Sequence, residues 1–336
     1  MSAVPVASPR SFGPRETALL LTLASMWGLS FLFIEVALRG LGPMWIVVGR
    51  TGVGALVLLL VLRLRRHRLP TSASLWGRVL ILGIMTNAVP WSAVAWAQQS
   101  LPSGLVALLM AAVPTSTLVV SVAIGLERFT PTRLAGLALA LGGVGLTVAG
   151  DATDPGRLLA MGVILVATMM YASGAVYANQ RVSGVASALT IATGQVVTAF
   201  LVTVPVALLL DPLPRVAAMT PAVLGAVTAL GALGTGAAFL VFYTLIERVG
   251  ATNTTLVTYL IPLVAVLAGA LVLGERLGLA ALVGGVLIVG GVWLAQRGTR
   301  ATAPQPATAP VSEGLAATEV AAPTPPPGGV EPPPRQ

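Results

Sequence analysis

Long apolar runs broken by brief polar stretches fill the chain from about residue 17 to 297. Ten runs can be marked, at about 17–38, 44–62, 76–98, 103–125, 131–149, 158–178, 187–210, 219–245, 252–273 and 279–296. At about 1.5 Å per helical residue, each is long enough to cross a hydrocarbon core of about 30 Å. The pattern therefore predicts an all-α polytopic membrane protein. Pro43, Pro102 and Pro131 stand at predicted helix starts, where a missing N–H costs least, and Thr130 is placed to cap the fifth helix. The connections are short, which favours packing of consecutive helices as antiparallel neighbours.

One pattern occurs twice. Residues 108–146 and 256–294 superimpose by a shift of 148 positions, which aligns Pro114 with Pro262, Glu127-Arg128 with Glu275-Arg276, and Gly136, Gly142 and Gly143 with Gly284, Gly290 and Gly291. Such self-similarity points to duplication. With five helices in each half, an odd number, the second half enters the membrane in the opposite sense. The expected architecture is ten transmembrane helices as two inverted five-helix repeats, a construction that secondary transporters use for alternating access. We place a disordered N-terminus at 1–16, the first repeat at 17–149, the second at 157–297 and a disordered Pro/Ala-rich tail at 298–336.

Composition sharpens this reading: 56% of residues are apolar and 9% charged, against roughly a quarter charged in soluble domains. The first run, Ala18 to Leu38, is too long for a signal-peptide core, contains Glu35 and lacks a small-x-small cleavage site, so it is read as a retained helix. With the N-terminus inside, the inner flanks and tails collect Arg10, Arg15, Arg63, Arg65, Arg66, Arg68, Arg78, Arg128, Arg133, Arg181, Arg248, Arg297, Arg300 and Arg335. The outer loops hold Arg39, Arg157, Arg215 and Arg276 with Asp151, Asp154 and Asp211. The positive-inside rule then puts both termini in the cytoplasm. Arginine in place of lysine throughout, with the alanine, glycine and proline load, fits a GC-rich bacterial genome and hence a bacterial inner membrane. The basic run Arg63 to Arg68 is a topology signal beside a helix end and not a nucleic-acid site.

The chemistry available is narrow. There is no cysteine and a single histidine, His67, in a loop. Thiolate nucleophiles, His-based triads and His- or Cys-rich metal sites are excluded, so we expect no enzyme, no metal and no cofactor. No Gly-rich phosphate loop with lysine is present, which argues against an ATP-driven pump. A non-transporting receptor or scaffold would carry a soluble domain or long structured loops, and the sequence has neither.

Particular residues now narrow the class. The first run carries Trp27-Gly28-Leu29-Ser30-Phe31; the fourth carries Pro114 and ends at Leu126-Glu127-Arg128; the ninth carries Pro262 and ends at Gly274-Glu275-Arg276, with a Gly-rich helix after each. Over about residues 17–297 the chain resembles the EamA family of the drug/metabolite transporter superfamily. The resemblance implies ten helices in two repeats, cytoplasmic termini, and movement of small metabolites such as amino acids and their derivatives, with efflux the expected direction.

Candidate mechanism residues lie inside the runs. Pro114 and Pro262 free the carbonyls of Met110 and Thr258 and are expected to kink their helices at equivalent depth, as hinges or as packing kinks. Asn87, beside Pro90 and Trp91, is costly in lipid and marks either a substrate site or an interhelical hydrogen bond. Glu35 and Arg50 are the charges deepest in the runs. A structural ion pair between them is expected; the functional alternatives are proton coupling at Glu35 and a substrate carboxylate at Arg50. Trp27, Met110, Tyr171 and Tyr259 complete the cavity candidates, with packing as the alternative for each aromatic. The expected partners are a small-molecule substrate and the lipid bilayer. Proton coupling and assembly as a homodimer stay open.

Overall fold

The computed structural model describes residues 13–149 and 154–300, with backbone alone at 251–252 and 298–300. Among the described residues there are ten apolar helices and no strand: α1 (Pro14–Leu38), α2 (Pro43–Leu64), α3 (Ala73–Ala97), α4 (Ser103–Ala123), α5 (Pro131–Ala149), α6 (Pro155–Val182), α7 (Ala188–Leu210), α8 (Pro221–Val249), α9 (Val257–Leu273) and α10 (Leu279–Arg300). Nine are long and apolar enough to span a bilayer by themselves, and α9 is a shorter apolar helix. The all-helical polytopic fold expected from the sequence is what the chain adopts. Leu209, Leu271 and Leu56 are strongly exposed on these helices. A lipid-bathed surface accommodates them, whereas water would not. Of the tails expected to be disordered, residues 1–12 and 301–336 lie outside the described residues. Helix α1 already begins at Pro14, and α10 runs to Arg300.

Helix starts follow local chemistry. Pro43 and Pro131 are the first residues of α2 and α5, and Pro102 is the residue before α4. The Thr130 hydroxyl accepts from the Arg133 N–H (3.3 Å), the cap anticipated for α5. Ser72, Asp154, Ser187 and Thr220 cap α3, α6, α7 and α8 in the same way.

The packing is pseudo-twofold. Helix α1 packs on α8 and α9, as α6 packs on α3 and α4; α2 packs on α8, as α7 packs on α3. Three pairs are their own mates: α2 with α7, α4 with α9, and α5 with α10. Close packing therefore runs mainly between repeats, and the expectation that consecutive helices would be the principal neighbours is corrected. Burying both repeats against each other leaves the short loops to set only chain order.

Helices α5 and α10 form the tightest pair. A Cβ added at Gly143 would lie 2.5 Å from the Gly284 carbonyl, and one at Gly284 would lie 2.6 Å from the Gly143 carbonyl. Gly136 and Gly291 face each other in the same way. These four glycines sit seven apart on each helix, two turns, so they make one backbone-to-backbone seam. Gly142 has nothing within 4 Å of its hypothetical Cβ and Gly290 only the tip of Leu139, so neither belongs to the seam. Gly28, in the Trp27–Phe31 motif, has a comparable role: its Cβ would fall 3.0 Å from the Ile261 carbonyl, one residue before Pro262.

The two proline-bearing helices differ. Both tighten at matched positions, where the Ala111 N–H reaches the Leu108 carbonyl (3.2 Å) and the Tyr259 N–H reaches the Leu256 carbonyl (3.2 Å). Helix α4 then breaks at Ala111–Ala112, just before Pro114. In the second copy the break comes at Thr255–Leu256, and Pro262 lies inside the continuous helix that follows. Residues 111–112 correspond to 259–260, so the second break sits one turn earlier than the repeat predicts. The expectation of kinks at equivalent depth is corrected. A proline forbids only its own N–H bond, so it does not dictate where the helix breaks; the three-residue turns fall at Ala111 and Ala112 in the first copy and at Leu256, Thr258 and Tyr259 in the second.

Candidate functional site

Among the described residues four helices carry a π turn: α6 and α9 at their ends (Ala178–Val182 and Gly269–Leu273), and α3 and α8 within their length, where the site begins. Helix α3 widens into a π turn at Ile84–Ala88 and α8 into another at Ala232–Ala237, two segments whose first residues are 148 apart. Each is closed by a bond to the fifth residue back, Val89 N–H to Ile84 and Ala238 N–H to Leu233. In α3 Pro90 cannot donate to the Thr86 carbonyl, which favours the wider turn; α8 has Ala238 at the matched place and relies on glycines instead. Such turns concentrate at functional sites because they expose backbone groups and re-aim side chains.

The α8 turn, and Trp91 three residues past the α3 turn, meet at one arginine. Arg50, on α2, is 6% exposed. Its guanidinium lies 3.7 Å above the Trp91 ring. Its Nε donates to Thr235 Oγ1 at 3.1 Å, and Nη2 lies 3.5 Å from the Gly234 carbonyl. Trp91 donates its indole N–H to the Tyr171 hydroxyl at 2.5 Å. Thus α2, α3, α6 and α8 each place one element of a single cluster. Asn87, 1% exposed and one turn before Trp91, uses its Oδ1 to accept from the Thr86 hydroxyl (3.1 Å), while its Nδ2 is buried without a hydrogen-bond partner.

Not every candidate joins this cluster. Met110 and Tyr171 both pack on the apolar core that contains Trp91. Trp27 lies elsewhere, against Phe242 at 5.4 Å between ring centres. Tyr259 donates to Gln296 Oε1 at 2.7 Å, tying α9 to α10. The expected Glu35–Arg50 pair does not form, and among the described residues no carboxylate pairs with Arg50. The reason is packing: α2 faces α7 and α8, whereas α1 faces α8 and α9, so the two charges turn to different neighbours. Glu35 keeps a buried Oε2 without a hydrogen-bond partner.

We call the end of the bundle where α1 starts the N face. Two cavities of about 100 Å³ each lie toward it. The first, between α2, α7 and α8, is lined by Arg65, His67, Tyr243, Glu247 and, deepest, Phe239. Phe239 is the repeat mate of Trp91 and packs on the same core. The second is lined by Pro114, Glu127 and Gln296 among others.

The opposite face is clasped. Asp211 Oδ2 accepts from the Met44 N–H at 2.8 Å, and Trp45 donates to the Pro212 carbonyl at 2.9 Å, joining the end of α7 to the start of α2. Glu275 accepts from the N–H groups of Ser103 (2.8 Å) and Gly104 (3.1 Å), capping α4 from across the repeat boundary. Its mate Glu127 is bound to Arg133 at 2.9 Å. Of the two matched corner glutamates, Glu275 reaches across the repeat boundary and Glu127 pairs locally.

Sequence reasoning missed Thr235, Phe239 and the cross-repeat role of Glu275. A signal for the first two was present: shifting Asn87 and Trp91 by 148 lands on Thr235 and Phe239.

Comparison with known proteins agrees with this architecture. The profile of the EamA-like transporter family matches residues 15–149 and again 158–296. The chain is 28% identical over 264 residues to the "Uncharacterized inner membrane transporter YedA" of Escherichia coli (strain K12), covering 77% of this chain and 83% of that protein. It is 27% identical over 265 residues to "Protein PecM" of Dickeya dadantii (strain 3937), covering 77% and 84%. A solved structure described only as "Crystal structure of protein" superimposes with a TM-score of 0.60 at 18% identity, over 85% of this chain and 98% of that one, a likeness of fold alone. Two repeats, each matched by the same profile and packed about a pseudo-twofold axis, make this a multi-pass membrane protein that belongs to the EamA-like transporter family.

Proposed function

We propose that the chain is a secondary carrier that exports small metabolites of the amino-acid type across a bacterial inner membrane by alternating access, with the N face cytoplasmic. The observation that carries this reading is a difference between repeats of one fold. If both halves held the same conformation, the molecule would present the same opening to both sides. Here α4 breaks just before Pro114 while the matching break falls one turn earlier, ahead of α9, two cavities lie toward the N face, and carboxylate clasps hold the opposite face. Exchange of the two conformations between the repeats would move the opening to the other side. The arginine distribution supports the cytoplasmic placement of the N face.

Pro114 and Pro262 are the hinges in this scheme, and Pro114 lines the second cavity. In proteoliposome flux assays, Pro114→Ala combined with Pro262→Ala is expected to lose most transport while inserting normally. Wild-type kinetics in that double variant would remove the hinge role.

Glu35 is the coupling residue of this reading, because a buried carboxylate oxygen without a hydrogen-bond partner can take up a proton without breaking a contact. Glu35→Gln is expected to flatten the pH dependence of flux measured with and without an imposed proton gradient. An unchanged profile would exclude coupling through this residue.

A further inference from the structure

We propose that Arg50, held on the face of Trp91, is the receptor for a carboxylate group of the solute; that the solute is then carried rests on the carrier reading above. A desolvated guanidinium is costly, and in membrane interiors such charges are paired or functional. No carboxylate of the described residues pairs with Arg50. Its protein contacts are a hydroxyl, one long carbonyl contact and an aromatic face, none of which neutralises the charge. Only Nε and Nη2 are engaged, so the fork of N–H groups that matches a planar carboxylate in two parallel bonds is largely unspent.

The surrounding groups extend the same polarity. The Tyr171 hydroxyl is occupied as an acceptor by Trp91, which leaves its proton to donate. Asn87 Nδ2, one turn from Trp91, is a second buried donor without a hydrogen-bond partner. A buried cation without a counter-charge favours an anion, and the stacked indole fixes the guanidinium plane so that little order is lost on binding. Two aromatic rings beside the charge suit an organic acid with an apolar body better than an inorganic ion. Thr198, the repeat mate of Arg50, carries no charge, so the duplication supplies this receptor on one side only.

The test uses the full chain, purified in detergent, and three acids each paired with its neutral or amide counterpart: succinate with succinamide, benzoate with benzamide, and L-phenylalanine with L-phenylalaninamide. At least one acid is expected to raise the thermal unfolding midpoint saturably while its amide does not. Arg50→Gln is expected to abolish that shift. Arg50→Lys, which keeps the charge without the fork or the stack, is expected to bind at least tenfold more weakly, and decides the matter if the glutamine variant does not fold. The proposal is overturned if no acid differs from its amide, or if the arginine variants bind as the wild type does. Flux of the same compounds separates the two readings. Binding at Arg50 without any flux would remove the carrier and keep the receptor, whereas flux indifferent to Arg50 would keep the carrier and remove the receptor.

Discussion

Replacing Gly143 with alanine is expected to destabilise the protein severely, whereas the same change at Gly142 leaves it as stable as the wild type or slightly more so. The two residues are adjacent on one helix, which removes composition and depth as explanations. At Gly143 the new methyl would lie 2.5 Å from the Gly284 carbonyl and 2.7 Å from the Ile288 nitrogen, both backbone atoms that cannot rotate away. Helices α5 and α10 must then separate along the seam. Forced overpacking costs about 1–3 kcal/mol and occasionally more, and loss of close contact at the neighbouring glycine pair adds to it. At Gly142 no atom lies within 4 Å, so the substitution acts only through helix propensity, where alanine is favoured by about 1 kcal/mol. Thermal unfolding in detergent checks both. Equal midpoints for the two variants would remove the seam as the element that holds the repeats together.

Glu275→Gln carries the second large effect, on conformation more than on stability. The carboxylate accepts from two N–H groups at the start of α4, where no side chain of that helix serves as cap. Charge-assisted bonds of this kind contribute about 1.5–3 kcal/mol, and a helix N-terminus favours the negative charge by about 0.3–1 kcal/mol more. The amide keeps part of the hydrogen bonding and loses the charge. A net loss of about 1.4 kcal/mol from the state with the opposite face closed shifts its equilibrium about tenfold. A cysteine at Ala95 reports the shift. Ala95 is fully buried near the end of α3 at the opposite face, and its repeat mate Tyr243 lines the N-face cavity. The chain has no native cysteine, so the reporter has no background. Maleimide labelling of Ala95→Cys from the opposite face is expected to rise about tenfold in the Glu275→Gln background, in line with that free-energy change. An unchanged rate would mean that the cap does not help to close that face.

The parts of the fold that were legible in the sequence share one property: they are written in local spacing. The apolar runs, the proline and Thr130 helix starts and the repeat of 148 residues all depend on neighbours along the chain. What was not legible depends on which helices meet. Glu35 and Arg50 were paired because they are the deepest charges on consecutive helices. In the bundle α2 turns to α7 and α8, and Arg50 finds Trp91 and Thr235 instead. Of the six repeated glycines, all read alike, yet four form the seam and Gly142 and Gly290 do not, because only a partner helix distinguishes them. The π turn of α8 carries no proline to announce it, and it persists because tertiary packing supports the turn. Glu275 and Glu127 occupy equal places in the repeat but bind a helix start and Arg133 respectively. Any departure from symmetry between repeats is invisible to a comparison that finds them by their likeness.

Under the carrier reading, the opening toward the N face changes sides. The most direct test is paired labelling by a membrane-impermeant maleimide of Thr244→Cys, in the N-face cavity, and of Ala95→Cys, each with Glu275 intact and with Glu275→Gln. The account predicts reciprocity: weakening the clasp slows labelling at Thr244→Cys from the N face while it speeds labelling at Ala95→Cys from the opposite face. A rise at Ala95→Cys with no fall at Thr244→Cys would mean that the clasp merely frays, and that the two faces do not open in alternation.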